Sequence, residues 1–380
     1  MVYEQESTRA GRYVRQLEGY RAFVPAQLPP NPALRLEGKL THLLSEADQE
    51  LGRLDGVASI LPSLDFFLKM FVRQEAVLSS RIEGTQSTLT DVLRYHADAT
   101  SRGLPPDVRE VDNYVKAMNH GLGRLSDSPL CNRLIREIHA VLLEDVRGSE
   151  RTPGEFRRSQ NWIGPAGCGL KDAEFVPPSV TDMGTALGDF ERFLNDRMTF
   201  PALVSCALAH AQFETIHPFL DGNGRVGRLL ITLLLRERQI LRKPLLYLSL
   251  FFKRRKQEYY SRLTAIRLNG DWEGWVEFFL NGVVAVSRES SSVAHQIMEL
   301  RERDFKGSAN PPLIDVLFAE PVVSIQRVAD RLGLSLATAG SHVRKLEKKG
   351  LLIEITGRKR GRLYSYEEYI GLFAEKDGGE

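Results

Sequence analysis

The sequence predicts a mainly α-helical protein: a helical bundle interrupted by one β-hairpin flap, followed by a small mixed unit of three helices and a two-stranded ribbon. Three observations carry this. Apolar residues recur at spacings of three and four across residues 64–82 and again across 130–145. The helical period vanishes over residues 153–178, where Gly, Pro and aromatics alternate as in a hairpin or flap. Beyond residue 311, three short helical patterns precede a segment, LLIEITGRKRGRLYSY, that alternates around a basic tip.

Taken in order, the first sixty residues read as irregular, with the Pro-rich FVPAQLPPNPAL extended along the surface of the helical body. A helix then covers residues 64–82, with Phe67, Met70, Phe71, Gln74 and Leu78 on one face. It stops at SSRIEG, where Gly84 is a natural terminator. NYVKAMNHGL and LCNRLIREIHAVLLED continue the helical pattern, the latter placing Leu134, Ile135, Ile138 and Leu142 on a common face. Helices resume near residue 182 and dominate to about 303, and FKGSANP (305–311) reads as a linker. These shifts divide the chain into 1–125, 126–304 and 305–380. In the last part Ser324 is an N-cap, and helix, helix, turn, helix, ribbon is the layout of a winged helix-turn-helix.

Length and composition set limits. A chain of 380 residues supports two or three cores, and 42% hydrophobic with 26% charged residues is ordinary for a globular protein. A net charge of +2 gives no global field toward nucleic acid or membrane, so any basic patch is local. Cys131, Cys168 and Cys206 are scattered and form no CxxC pair, which fits a reducing compartment without structural zinc. The polar start lacks a signal-peptide core, and the longest apolar run, 229–235, is too short to span a bilayer. A cytoplasmic protein without membrane contact is the expectation.

Residues 217–228, HPFLDGNGRVGR, form a polar, Gly-rich break between two apolar helices. Gly222, Asn223 and Gly224 accept positive φ cheaply, so their N–H groups can converge on an anion at the start of the next helix. Arg225 and Arg228, three apart, suit bidentate phosphate contacts. Asp221 at the edge would repel phosphate unless Mg²⁺ intervened, and His217 is the nearby group able to take a proton near neutrality. Each feature alone is commonly a turn or a core residue; their order along one stretch points to nucleotide-dependent transfer. No Gly-Lys-Ser/Thr follows and no strand precedes, which separates the stretch from a Walker-A loop or a Rossmann fingerprint. His210 has no further N or S partner in the pattern and reads as a core histidine.

The stretch resembles the signature of the Fic (filamentation induced by cAMP) family, His-Pro-Phe-x-[Asp/Glu]-Gly-Asn-Gly-Arg-x-x-Arg, at every specified position. The resemblance spans roughly residues 60–285. It implies a Fic-type helical bundle that binds ATP with Mg²⁺ and transfers AMP to a protein hydroxyl. By position, His217 would be the general base and Asp221 the Mg²⁺ ligand. Gly222, Asn223 and Gly224 would form the anion hole, with Val226 and Gly227 in the nucleotide-binding turn. Arg225 and Arg228 would hold the β- and γ-phosphates. The 153–178 flap is similar to the family's docking hairpin, which would clamp a target segment carrying the Ser, Thr or Tyr to be modified. Upstream, SSRIEG resembles the inhibitory pattern [Ser/Thr]-x-x-x-Glu-[Gly/Asn], read as Ser79, Glu83 and Gly84. Glu83 would then pair with Arg228 and disfavour a productive ATP pose; the same glutamate would suit water activation for AMP removal. Downstream, YLSLFFKRRKQEYY is similar to the segment near the adenine site, with Phe251 and Arg255 where the family commonly has Tyr and Asn. Gln212 is a further residue expected to face the nucleotide.

Residues 341–362 carry eight Lys/Arg against Glu347 and Glu354. Basic side chains on a third helix and a ribbon tip, within 335–362, are where double-stranded DNA would be held, normally by a homodimer. Winged helices also dock proteins, so both partners stay open. The leading expectation is a self-inhibited protein adenylyltransferase; the alternative is a DNA-binding regulator whose Fic core is secondary or only self-modifying.

Overall fold

A computed structural model describes residues 7–60, 64–98, 103–165, 167–308 and 310–374. Residues 7–60, expected to be irregular, are not. Strands β1 (Ser7–Thr8), β2 (Gly11–Arg15) and β3 (Arg21–Pro25) form an antiparallel sheet, and α1 (Lys39–Ile60) follows. The pairing of β2 with β3 runs through a turn at Gly19, whose φ is 87°. In α1, Leu40, Leu43, Ala47, Leu51 and Leu54 are buried at spacings of three and four, which is ordinary amphipathic logic. The Pro-rich stretch after β3 does lie against the body: Leu28 and Leu34 are buried.

Helix α2 (Leu64–Ile82) sits at the centre; residues 74–80 are buried all round, so α2 is a core helix rather than a surface one. It is flanked by α3 (Leu89–Ala97) and α4 (Val108–Arg124), and α5 (Asn132–Leu142) packs on α4. Thr88 and Asp91 close a capping box on α3. The flap carries one antiparallel bridge, Ile163 with Phe175, and Phe23 of β3 donates to the Val176 carbonyl at 2.9 Å. The flap is thus tied to the N-terminal arm rather than standing free.

Helices α6 (Val180–Asn195), α7 (Ala202–Ile216) and α8 (Asn223–Glu237) follow. Every residue of α7 from 203 to 216 is buried, as its all-round apolar sequence requires. Helices α9 (Ser249–Arg254), α10 (Lys256–Asn269) and the long α11 (Trp272–Lys306) complete the bundle, with α11 packed along α1.

Helix α11 runs into the expected linker, leaving only residues 307–310 before α12 (Pro311–Ala319). The C-terminal unit continues with β4 (Val322–Ser324), α13 (Ile325–Leu332), α14 (Leu336–Lys348), β5 (Ile353–Glu354), β6 (Leu363–Ser365) and α15 (Glu367–Gly371). Ser324 caps α13 by accepting from Arg327 N–H, and Gly333 turns the chain with φ 63°. The ribbon gains a third strand, in the order β4-β6-β5. This unit is seated on the bundle. Phe318 meets Phe67, Phe373 meets Phe71 with ring centroids 5.2 Å apart, and Gln74 Nε2 donates to the Phe373 carbonyl at 3.0 Å. Among the described residues no helix is long and apolar enough to cross a membrane.

Candidate active site

The break between α7 and α8 is a braced turn. His217 ends α7 in the left-handed region, φ 48° and ψ 60°, a conformation a non-glycine residue holds only under external constraint. The constraint comes from the flap. Arg157 Nε and Asn161 Nδ2 donate to the His217 carbonyl at 3.2 and 3.1 Å, and Arg157 N–H donates to the Pro218 carbonyl at 2.9 Å. Arg157 is itself buried, and its Nη2 donates to the Pro178 carbonyl.

Inside the turn, Asn223 acts as a staple. Its Oδ1 accepts from Phe219 N–H and its Nδ2 donates to the Phe219 carbonyl, both at 2.8 Å. Asn223 is therefore already helical; among Gly222, Asn223 and Gly224 only Gly222 takes positive φ, at 77°. His139 of α5 stacks on Phe219, ring centroids 3.7 Å apart. Gly154 N–H donates to its Nδ1, so its Nε2–H donates to the Asp221 carbonyl at 3.0 Å. Burial pulls His139 down to about 4, keeping it neutral for this job.

The His217 ring is oriented by its own helix. Its Nδ1 lies 3.4 Å from the Glu214 carbonyl, which can only accept, so Nδ1 carries the proton and Nε2 keeps its lone pair. Burial, then the Arg267 guanidinium, pull the imidazole down to about 4. The side chain is neutral at pH 7, the form a general base needs.

The two arginines of the turn diverge. Arg225 points to α4, with Nη1 3.2 Å from Glu110 Oε2 and Nη2 3.6 Å from Asp221 Oδ1. Arg228 points to α2: Nε donates to Ser79 Oγ at 2.8 Å, and Nη2 to the Ser79 carbonyl at 3.0 Å and to Glu83 Oε1 at 2.6 Å. Burial opposes the charge on Arg228, yet Glu83 holds its pKa above the ordinary value. Burial likewise opposes ionisation of Glu83, and Arg228 overrides it. The Glu83 carboxylate lies against Gly224, where an added Cβ would collide with it. Gly84, φ 96°, ends α2 just beyond, and Lys256 Nζ caps the helix by donating to the Ile82 carbonyl at 2.6 Å.

Asp221 offers a carboxylate 40% exposed, with Oδ1 accepting from Gly222 N–H at 2.6 Å. Among the described residues no three His, Cys, Asp or Glu gather around one point. Val226 is buried, and Gly227 is pressed by the Glu214 carboxyl on one side while its carbonyl accepts from His210 Nδ1 at 2.8 Å. His210 Nε2 in turn accepts from Tyr259 Oη at 2.9 Å inside an aromatic cage, a core histidine. Gln212 is buried and its Nε2 donates to the Ala26 carbonyl at 2.8 Å, which ties α7 to the N-terminal arm. Arg255 is exposed between α9 and α10, over the Phe251 ring and 3.4 Å from Glu258.

Residues 41–123 match the Fic/DOC family N-terminal region and residues 129–235 the Fic/DOC family, together half of the chain. The chain belongs to the Fic/DOC family. Residues 313–353 match the winged helix-turn-helix DNA-binding family. The protein adenylyltransferase Fic of Drosophila yakuba is 34% identical over 161 residues, 40% of this chain and 30% of that protein. The Aedes aegypti protein of the same name is 31% identical over 195 residues, 50% of this chain and 37% of that protein. This chain therefore spans little more than a third, at most, of the length of these curated relatives. Its fold is that of solved Fic proteins. A Fic family protein from Desulfovibrio desulfuricans G20 superposes with a TM-score of 0.57 over 91% of this chain and 98% of that one, at 21% identity. A Fic domain-containing signalling protein from Bacteroides thetaiotaomicron VPI-5482 gives 0.53 over 66% and 95%, at 18% identity.

Arg157, Asn161, His139 and Glu110 are the residues that sequence reasoning missed. Three of them act on main-chain carbonyls of the turn, and Glu110 pairs with a side chain over a hundred residues away. The one local hint was a histidine on the apolar face of α5, beside Ile135 and Ile138.

Proposed function

We propose that this Fic protein transfers AMP from ATP to a hydroxyl side chain of a protein, itself included, and that α2 restrains the reaction. The observation that carries the reading is His217: neutral, with Nδ1–H anchored on the Glu214 carbonyl so that Nε2 keeps its lone pair, five residues before the Gly222 N-cap of α8. Nε2 takes the proton of a Ser, Thr or Tyr hydroxyl as its oxygen attacks the α-phosphorus. The bond to the bridging oxygen breaks and pyrophosphate leaves. The N–H groups at the start of α8 and its dipole favour the phosphates. A single exposed carboxylate, Asp221, fits Mg²⁺ held mainly through phosphate oxygens. When bound, that ion neutralises charge building on the leaving pyrophosphate.

Target protein would dock on the 153–178 flap, where Trp162 is exposed and held by its Nε1 donating to the Cys168 carbonyl at 3.0 Å. Held by α2, Arg228 would be withheld from a γ-phosphate, and this pairing supports the restraint. A polypeptide without membrane contact, acting in the cytoplasm, suits ATP as donor. The test is incubation of purified protein with ATP labelled on the α-phosphate and, separately, on the γ-phosphate. Only α-label should become protein-bound, and absence of protein-bound label from the Glu83→Gly variant would overturn the reading.

A second reading rests on the C-terminal unit. Arg344, Lys345 and Lys348 of α14 and Lys359, Arg360 and Arg362 of the ribbon tip are exposed together. They would hold duplex DNA by its phosphates, with two copies of the chain on a two-fold site. Gel-shift with random duplex at graded salt tests it.

A further inference from the structure

A cavity of about 190 Å³ lies where α2 and α3 face the C-terminal unit, and none of the candidate active-site residues lines it. Its charge is one-sided. Lys69 and Arg73 enter from α2, Arg327 and Arg331 from α13, and the only carboxylate in the lining is Glu320. Glu320 is shared between two guanidiniums: Arg327 Nε and Nη2 donate to it at 2.6 and 2.7 Å, and Arg331 Nε at 3.0 Å. Nothing comparable serves Arg73. Its Nη1 is fully buried and has no hydrogen-bond acceptor among the described residues. Burial pushes the Arg73 guanidinium below its ordinary value, only partly offset by Glu320, Tyr369 and Asp112, the last of which is already paired with His96 at 3.1 Å.

Arg73 is half-buried, and its buried Nη1 without an acceptor is unfavourable, so an anion that reaches it would be held. Planar guanidinium forks suit phosphate oxygens, and low-dielectric walls focus the positive field of the other three cations into the cavity. Apart from His96 no ring lines the space, so a nucleobase would find no stacking platform. We propose that this cavity binds a small phosphate-bearing anion, seated on Arg73 between α2 and the winged helix. The site stands on its own geometry and does not depend on the adenylyl-transfer reading.

The full chain tests this by thermal unfolding against inorganic phosphate, with chloride adjusted to constant ionic strength. A ligand of the native state raises the midpoint in a saturable way. The wild-type chain should show that saturable rise. Arg73→Met should lose it, while its ligand-free midpoint stays level or rises because a half-buried guanidinium with an unpaired Nη1 has been replaced by an apolar chain of similar length. The midpoint rise caused by ATP with Mg²⁺ should be untouched. Lys69→Glu, at an exposed position, is the second variant, and it should weaken phosphate binding several-fold without altering the fold. A saturable response that persists in both variants would assign phosphate to the Gly222 turn or the DNA-facing surface and overturn the proposal. So would a wild-type chain with no saturable response.

Discussion

Glu83 of α2 and Arg228 of α8 are ion-paired at 2.6 Å, and the same guanidinium is held by the hydroxyl and the carbonyl of Ser79. Three contacts to one helix occupy Nε and Nη2 of the Arg228 fork. The carboxylate also lies against Gly224 at the start of α8, where the helix dipole would otherwise draw a phosphate. On the proposed reading, one side chain would thereby fill the position of an anion and withhold the arginine that would contact it.

Glu83→Gly should therefore raise AMP transfer by about ten- to a hundredfold, a change of ~1.4–2.7 kcal/mol in the barrier. Arg228→Ala in that background should cancel the gain, because the freed guanidinium would be missing. Rates of α-label incorporation into the purified variants check this. An unchanged rate for folded Glu83→Gly would sink the restraint.

His217→Ala should abolish transfer and leave ATP affinity largely intact, since the ring contributes a base and no phosphate contact. The pH profile is the finer test. Lowering pH protonates Nε2 and removes the base, and burial with Arg267 has moved that event from 6.5 down to about 4. In Glu83→Gly one opposing negative charge is gone, which lowers it further. The acid limb of kcat/KM for that variant should thus lie well below pH 6.5; a limb at or above 6.5 would remove His217 as the base.

Asp221→Ala should weaken ATP binding measured with Mg²⁺ by about tenfold, the scale of one lost charge-assisted contact. Binding measured in chelator should change little. Wild-type affinity that ignores Mg²⁺ would count against the metal role of Asp221.

The parts of this molecule legible in its sequence are those whose cause is local. Helix α2 was readable to its ends because Phe67, Met70, Phe71 and Leu78 set the period and Gly84 supplies the stop. The 217–228 turn was readable because its residue types are rare together. Helix α1 carried an equally clear pattern from Leu40 to Leu54, hidden by the Pro-rich stretch before it. The strands of the N-terminal sheet are two to five residues long and take their stability from partners and from burial of Ala22 and Phe23, which no short window reveals. Arg157 and His139 were illegible for another reason: both act on main-chain carbonyls, which leave no mark on residue type.

Neutralising Lys359, Arg360 and Arg362 should weaken duplex binding and flatten its dependence on salt, by about one unit of log–log slope per lost phosphate contact. Arg358 is the informative control. It is ion-paired with Asp98 at the end of α3, 3.1 Å away, so its charge serves the bundle as well as any ligand. Arg358→Gln should flatten the slope less than Arg360→Gln does, and salt-insensitive binding by the wild-type chain would end the DNA reading.

The C-terminal unit contacts α2, the helix that leads into Glu83, through Phe373. Its ring packs edge-on against Phe71, its carbonyl accepts from the buried Gln74 amide, and both partners lie on α2 upstream of Glu83. If a helix transmits displacement along its length, the seat of α2 against the C-terminal unit would help set where Glu83 stands. Phe373→Ala deletes a buried ring and should cost about 3 kcal/mol in unfolding free energy, at the low end for such a truncation. It should also raise AMP transfer several-fold, because α2 is less firmly held. The double-mutant cycle with Glu83→Gly separates the two effects. If the winged helix acts through Glu83, Phe373→Ala adds nothing to transfer once Glu83 is gone, while its cost in stability persists. An equal rise in both backgrounds would mean that the C-terminal unit touches catalysis by another route.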